Sequence, residues 1–257
     1  MEKAVEQAVG RVIEAMRDNL GEPLTIDDMA RTAMFSKFHF SRIFQRVTGV
    51  SPGRFLSAMR LHEAKRLLVS TSLSVTDISH RVGYNSVGTF SSRFRNSVGV
   101  PPSTYRQLGG FTHRGLADQR RRPPRQSSAV VSGRVDAAVA DGHGLIFVGL
   151  FAEPVPQGQP VRSTVLHRPG EYTLEDVPPG TWYLLAHSLA ANVEDAVRGA
   201  FDDTRTLCVG HMGPIQVRPD TATVTADLSL RPIEALDPSV VNALLGIQAV
   251  ALTVGAA

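Results

Sequence analysis

The sequence predicts a two-part protein: an all-α N-terminal region of tandem helical units, then a mainly-β sandwich ending in a helix. Three observations predict it. Residues 24–56 and 74–106 are two copies of one unit, offset by 50 positions, with 9 identities in 33 aligned positions. Beyond residue 130 the hydrophobic period changes from helical to alternating. Charge changes sign with it: residues 1–109 carry 15 Lys and Arg against 9 Asp and Glu, whereas 130–257 carry 7 against 14. A chain of 257 residues is long enough for two cores. The expected boundaries are 1–108, a linker at 109–129, and 130–257.

Met1 to Asn19 reads as an amphipathic helix with charges throughout. In the first copy, Thr25 stands as N-cap before the acidic pair Asp27-Asp28, which suits the helix dipole. Ile26, Met29, Ala30 and Ala33 recur at helical spacing. Met34-Phe35-Ser36 breaks the pattern, and Ser36 caps a second helix, Lys37 to Thr48. Phe40, Phe44 and Val47 form its apolar stripe; Lys37, Phe38, Ser41, Arg42 and Gln45 take the other face. Gly49 supplies a left-handed C-cap, and Pro52 starts the next helix.

The second copy follows the same logic. Val75 to Val82 is its first helix, with Thr76 and Asp77 at the start. Gly83-Tyr84-Asn85 is the turn and Ser86 the cap. Phe90 and Phe94 point inward, while Gly88, Thr89, Ser92, Arg93 and Asn96 lie towards the other side. Gly99 and Pro101-Pro102 close the helix before a short one through Tyr105 and Leu108. The alignment pairs Asp27 with Asp77, Arg31 with Arg81 and Ser36 with Ser86. Between the copies, Phe55, Leu56, Met59, Leu61, Ala64, Leu67 and Leu68 predict an amphipathic helix from Gly53 to Ser70, roughly 25 Å long.

Each copy reads as helix, tight turn, helix, the geometry that puts a helix in the DNA major groove. Two such helices on a stiff connector would enter successive groove segments about 34–36 Å apart. One chain would then read two half-elements without a dimer.

Two motifs carry a family resemblance: LTIDDMARTAMFSKFHFSRIFQRVTGVSPGRFLSAMRLHEAKRLL and VTDISHRVGYNSVGTFSSRFRNSVGVPPSTYR. In the second, Gly83-Tyr84, Ser86, Phe90, Phe94, Gly99, Pro102 and Tyr105-Arg106 stand at signature positions. The segment from Ala8 to Leu108 resembles the DNA-binding domain of the AraC/XylS family of transcription regulators. The resemblance implies seven helices, two helix-turn-helix units and control of transcription. It places recognition residues at Phe38, Ser41 and Arg42 in the first unit, and at Val87, Gly88, Thr89 and Ser92 in the second.

Arg42 is the foremost candidate for a base contact, because guanidinium can bond a guanine edge in a bidentate way. Ser36, Ser86 and the helix N-termini are expected at phosphates, with Lys37 and Arg93 completing the DNA-facing set. Many family members carry Arg where Ser92 stands here. The second helix is therefore expected to give more backbone contact and less base reading. An arginine on the outside of an amphipathic helix is ordinarily just solvated surface; it is the repeat that favours DNA.

The linker holds Gly109-Gly110, the run Arg120-Arg121-Arg122-Pro123-Pro124-Arg125, and Gln126-Ser127-Ser128; it reads as a solvated spacer, with phosphate contact by Arg120, Arg121, Arg122 and Arg125 the lesser alternative. Beyond it, Val131, Gly133, Val135, Ala137 and Val139 alternate with other residues, as do Ala222, Val224, Ala226, Leu228 and Leu230. Leu145 to Phe151 and Trp182 to Leu189 are apolar runs. Turn signals separate them at Asp141-Gly142-His143-Gly144, Arg168-Pro169-Gly170 and Pro178-Pro179-Gly180. An antiparallel sandwich follows, with a short helix at Asn192–Phe201. The stretch from Pro169 to Tyr183 is similar to prealbumin-like or carboxypeptidase-regulatory-like sandwiches, which implies a fold and no activity. Asp237 is expected to cap a C-terminal helix from Pro238, apolar nearly all round, that covers the sandwich or a second subunit as a homodimer.

Three roles stay open for the sandwich. One is a sensor whose effector changes DNA affinity, with Tyr172, Trp182, Tyr183, His187 and His211 as pocket candidates; a packed core is the plainer account of them. Another is a module that binds RNA polymerase or a further protein through its acidic surface. The third, an enzyme built on Asp202-Asp203, His187 and His211, has no motif spacing behind it. No cofactor, metal or catalytic residue is expected. The single Cys208 excludes an internal disulfide. With no leader and no stretch of 18 apolar residues, the expectation is a cytoplasmic protein with double-stranded DNA as partner and no membrane.

Overall fold

A computed structural model of the chain describes residues 2–109, 129–137, 143–155, 158–190 and 208–238. They fall in two compact units, each with its own core.

The first unit runs α1 (Glu2–Asp18), α2 (Ile26–Thr32), α3 (Lys37–Thr48), α4 (Pro52–Ser70), α5 (Val75–Arg81), α6 (Val87–Val98) and α7 (Pro102–Gln107). These are the expected helices. On α1, Val9, Val12, Ile13 and Met16 are buried at helical spacing. Gly49 and Gly99 end α3 and α6 at φ 77° and 98°, in the left-handed region that a Cβ disfavours.

Within this helical unit, each of the two repeats is built on a ladder of aromatic rings. Phe40, Phe44 and Phe55 meet at 5.5 and 5.4 Å. Tyr84, Phe90, Phe94 and Tyr105 meet at 5.4, 5.6 and 5.5 Å. Tilted and edge-on pairs of this kind add about 0.5–1.5 kcal/mol each beyond their buried area.

Several local expectations are corrected. On α3, Ile43 is buried and Val47 only half so, which moves the stripe one position round. Ser36 occupies the N-cap position without a side-chain cap bond. Helix α5, for which no cap is read from the sequence, is capped by Ser74. Connector α4 has 19 residues and is buried on more than one face, because α3, α5 and α7 all pack on it.

The largest correction concerns the repeat. Helices α3 and α6 match at an offset of 50, but α2 and α5 match at 49. Capping boxes Thr25–Asp28 and Ser74–Asp77 correspond at that offset, as do the buried residues Met29 with Ile78 and Ala33 with Val82. So do the turn bonds: Phe35 N–H donates to Ala30 C=O and Tyr84 N–H to Ser79 C=O, each at 2.9–3.0 Å. Asp27 is therefore the counterpart of Thr76, and the Asp27/Asp77 and Arg31/Arg81 identities are coincidental. The second turn has one extra residue, Asn85.

The second unit holds β1 (Ala129–Ala137), β2 (His143–Phe151), β3 (Arg162–Leu166), β4 (Gly170–Val177), β5 (Gly180–Ala190), β6 (Cys208–Val217), β7 (Thr223–Thr225) and β8 (Leu228–Pro232). Its sheet order is β3-β2-β5-β6-β8-β1-β4, with β7 also on β1. Strands β3 and β4, at the two ends of this order, pack on each other, so the sheet is nearly closed. The core inside joins Val131, Val135, Ile146, Val148, Leu150, Leu174, Leu184, Ala186 and Leu230.

An all-antiparallel arrangement is not what forms. Strands β7 and β8 run parallel to β1, both in the register of Val131↔Val224 and Val135↔Leu228. They are one alternating run interrupted at Ala226-Asp227. There Gly133 lets the backbone come close, since a Cβ would meet Ala226 O at 2.1 Å. The Asp227 carboxylate accepts the Arg134 N–H at 2.8 Å in place of a ladder bond.

The sandwich candidates divide between two clusters: Tyr172 and Trp182 join the main core, whereas Tyr183 and His187 pack on a separate cluster of Phe147, Phe151 and Leu185, and His211 pairs with Leu185 across the strands. The Tyr172 hydroxyl is buried and donates to Ala226 C=O. Trp182 donates its N–H to Pro178 C=O at 2.9 Å. His187 is buried with its ring stacked on Phe147, Tyr183 is half-buried, and His211 is exposed. Cys208 is buried. The linker beyond Gly109, the Asn192–Phe201 helix, Asp202-Asp203 and the helix after Pro238 lie outside the described residues. Among those described, no helix is long and apolar enough to cross a membrane, and no group of three His, Cys, Asp or Glu could hold a metal ion.

Candidate nucleic-acid interface

The two recognition helices present their polar faces by simple geometry. On α3 the buried side is Phe40, Ile43 and Phe44. At about 100° per residue, the opposite side is Phe38, Arg42, Gln45 and Arg46. All four are exposed, Phe38 at 85%. Ser41 lies on the flank, and its hydroxyl donates to Lys37 C=O at 2.9 Å. Lys37 pairs with Asp27 at 3.0 Å, both exposed, so a phosphate would have to compete with that carboxylate.

On α6 the buried side is Phe90, Phe94 and Val98. Gly88, Thr89, Ser92, Arg95 and Asn96 are exposed around the other side. The Ser86 hydroxyl accepts the Thr89 N–H at 3.4 Å as a true N-cap. Val87 is half-buried. Arg93 is exposed but stands at the helical position that Ile43 fills in α3, on the flank. Arg95, three residues beyond Ser92, shares Ser92's face and matches Gln45. Sequence reading missed Arg46 and Arg95; the i+3 and i+4 spacing from Arg42 and Ser92 was the available signal.

Not every basic residue is free for DNA. Arg66 makes two bonds to Glu63, at 2.8 and 2.6 Å. Arg106 donates to Leu68 C=O at 3.0 Å and to Leu73 C=O at 2.5 Å, holding the loop that leads into α5. Arg60 holds the loop that leads into α2. Lys65 is buried.

A family model described as a helix-turn-helix domain matches residues 29–108. The HTH-type transcriptional activator AarP of Providencia stuartii is 31% identical over 98 residues, which cover 38% of this chain and 73% of AarP. The chain belongs to the AraC family of transcription regulators. The lactose operon transcription activator of Staphylococcus xylosus is 28% identical over 102 residues, 40% of this chain and 37% of that protein. Coverage of these relatives' own length therefore ranges from most of AarP to about a third of the lactose activator. Among solved structures, a transcriptional regulator with an AraC-type DNA-binding domain from Chromobacterium violaceum is 30% identical, covering 40% of this chain and 93% of its own, with a TM-score of 0.39. The family model and the likeness to AarP bear out the AraC-type domain expected from the two motifs, that of a DNA-binding transcription regulator.

Proposed function

We propose that the chain binds a bipartite DNA site with α3 and α6 in successive major-groove segments, and that Arg42 reads a base edge in the first. The observation that carries this is the exposed Arg42 at the centre of the α3 polar face, flanked by Phe38 and Gln45, in a duplicated helix-turn-helix unit. Ser36, Lys37, Phe38 and Ser41 accompany it on α3. Ser86, Val87, Thr89, Ser92 and Arg93 serve on α6, where short side chains favour backbone contact over base reading. The hydroxyl of Ser36, outside any cap bond, suits a phosphate oxygen.

The strand-rich domain takes the regulatory or interaction role, for a small effector or a protein such as RNA polymerase, with no chemistry assigned to it. Activation is the direction of control that the relatives' names favour. The cytoplasm is its place of action. Thermal shift against a metabolite panel tests the effector, and sedimentation across micromolar concentrations tests a homodimer.

Sites selected by the full-length chain from random duplex test the DNA reading. Arg42→Ala should lower affinity for the selected site by about 1–3 kcal/mol and relax preference at one base pair. An unchanged preference profile would remove Arg42 from the base contacts.

A further inference from the structure

We propose that Arg60 is a positioning residue: it locks the two helix-turn-helix units together and so sets the spacing of half-elements the chain accepts. The inference rests on the two-element reading above and deepens it. Arg60 projects from the connector α4. Its Nε donates to Leu20 C=O at 2.9 Å and its Nη2 to Glu22 C=O at 2.7 Å. Those carbonyls belong to the loop that enters α2, in the first unit. The same guanidinium lies 6.0 Å from the ring centre of Tyr84, in the turn between α5 and α6 of the second helix-turn-helix. One side chain on the connector thus meets the lead into the first helix-turn-helix and the turn of the second.

Two glycines let these three segments close on it. A Cβ on Gly83 would meet Arg60 Nη2 at 2.5 Å and Leu20 O at 2.7 Å. A Cβ on Gly21 would meet Arg81 O at 2.7 Å. Ser57, one turn earlier on α4, brings its hydroxyl within 3.4 Å of the Tyr84 hydroxyl. The guanidinium fork bonds two carbonyls at once while standing beside the ring; an ammonium has no such fork. Arg106, by contrast, bonds only the end of α4 and the loop after it, so it does not join the units. A rigid joint raises the effective concentration of the second recognition helix at its half-element only when the spacing fits, which makes the joint a specificity device.

The test uses the full-length chain and a random-sequence duplex library, with Arg60→Lys and Arg60→Met beside the wild type. Both variants should retain the half-element sequences and the helical far-ultraviolet signal, yet accept altered spacings. Affinity for the wild-type paired arrangement should fall about tenfold, with single half-elements unaffected. Arg60→Lys that keeps the wild-type spacing and affinity would overturn the inference, because charge alone would then suffice. Equal loss on single and paired elements would also overturn it, as general destabilisation. Should Arg60→Met fail to fold, the Arg60→Lys comparison still decides. A wild-type chain that selects no paired element sinks the two-element reading and this inference together, an outcome distinct from a variant that behaves as wild type.

Discussion

Gly83 and Met34 occupy the same place in the two turns, at φ 83° and 58°. Gly83 was legible as a turn residue because glycine accepts that backbone without strain. Met34 gave no such sign, and the one-residue slip between the copies hid its partner. Gly83→Ala would add left-handed strain and a Cβ against Leu20 O, so stability should fall by about 2–3 kcal/mol in denaturant titration followed by helical signal. Met34 is 82% exposed and its side chain has little packing to lose. Met34→Gly should therefore raise stability by about 0.5 kcal/mol, relief of strain exceeding the added chain entropy. A loss on that substitution would mean Met34 packs in a way its exposure does not reveal.

At the scale of single helices, α2 and α5 are too short to persist alone and depend on their capping boxes and tertiary packing. The Thr25 hydroxyl and N–H donate to Asp28 at 2.5 and 3.0 Å. Those of Ser74 donate to Asp77 at 2.6 and 3.3 Å. These bonds hold both carboxyls below the usual carboxylate range. A carboxyl depressed in the folded state stabilises fully above its unfolded pKa of about 3.9 and loses that contribution as pH falls through the folded value. Melting of the helical signal should thus move to lower temperature on acidification below that point. The paired variant Asp28→Asn with Asp77→Asn should be less stable at neutral pH and converge on the wild type in acid. Parallel curves at all pH values would exclude the boxes as the source. Thr25 was legible from residue type; Ser74 was missed because an alignment at one offset pointed to Val75.

Over the whole molecule, charge is divided rather than spread. Residues 110–129 add 5 basic residues against 1 acidic to the basic N-terminal region, while the remainder is acidic. Helices α3 and α6 carry five exposed cations, Lys37, Arg42, Arg46, Arg93 and Arg95, and no carboxylate. DNA affinity should fall linearly in log–log form with salt, by a slope of about 0.9 for each phosphate contacted. Lys37→Ala should reduce that slope by about 1 while leaving base preference intact. A slope that does not change would keep Lys37 with Asp27 and off the DNA.

Sequence alone determined the number and kind of elements in the first unit, its inward phenylalanines Phe40, Phe44, Phe90 and Phe94, and its glycine caps. Local spacing and residue type suffice for these, since helices are written in short-range contacts. Only the tertiary structure decided that α2 and α5 slip by one against α3 and α6. It also decided that Arg60 and Arg106 bond carbonyls rather than face solvent, and that β7 and β8 run parallel to β1. The arginine bonds and the strand pairings join residues tens of positions apart, where hydrophobic period carries no information and the partner is chosen by packing; the slip is a one-residue insertion, Asn85, that an ungapped alignment hides.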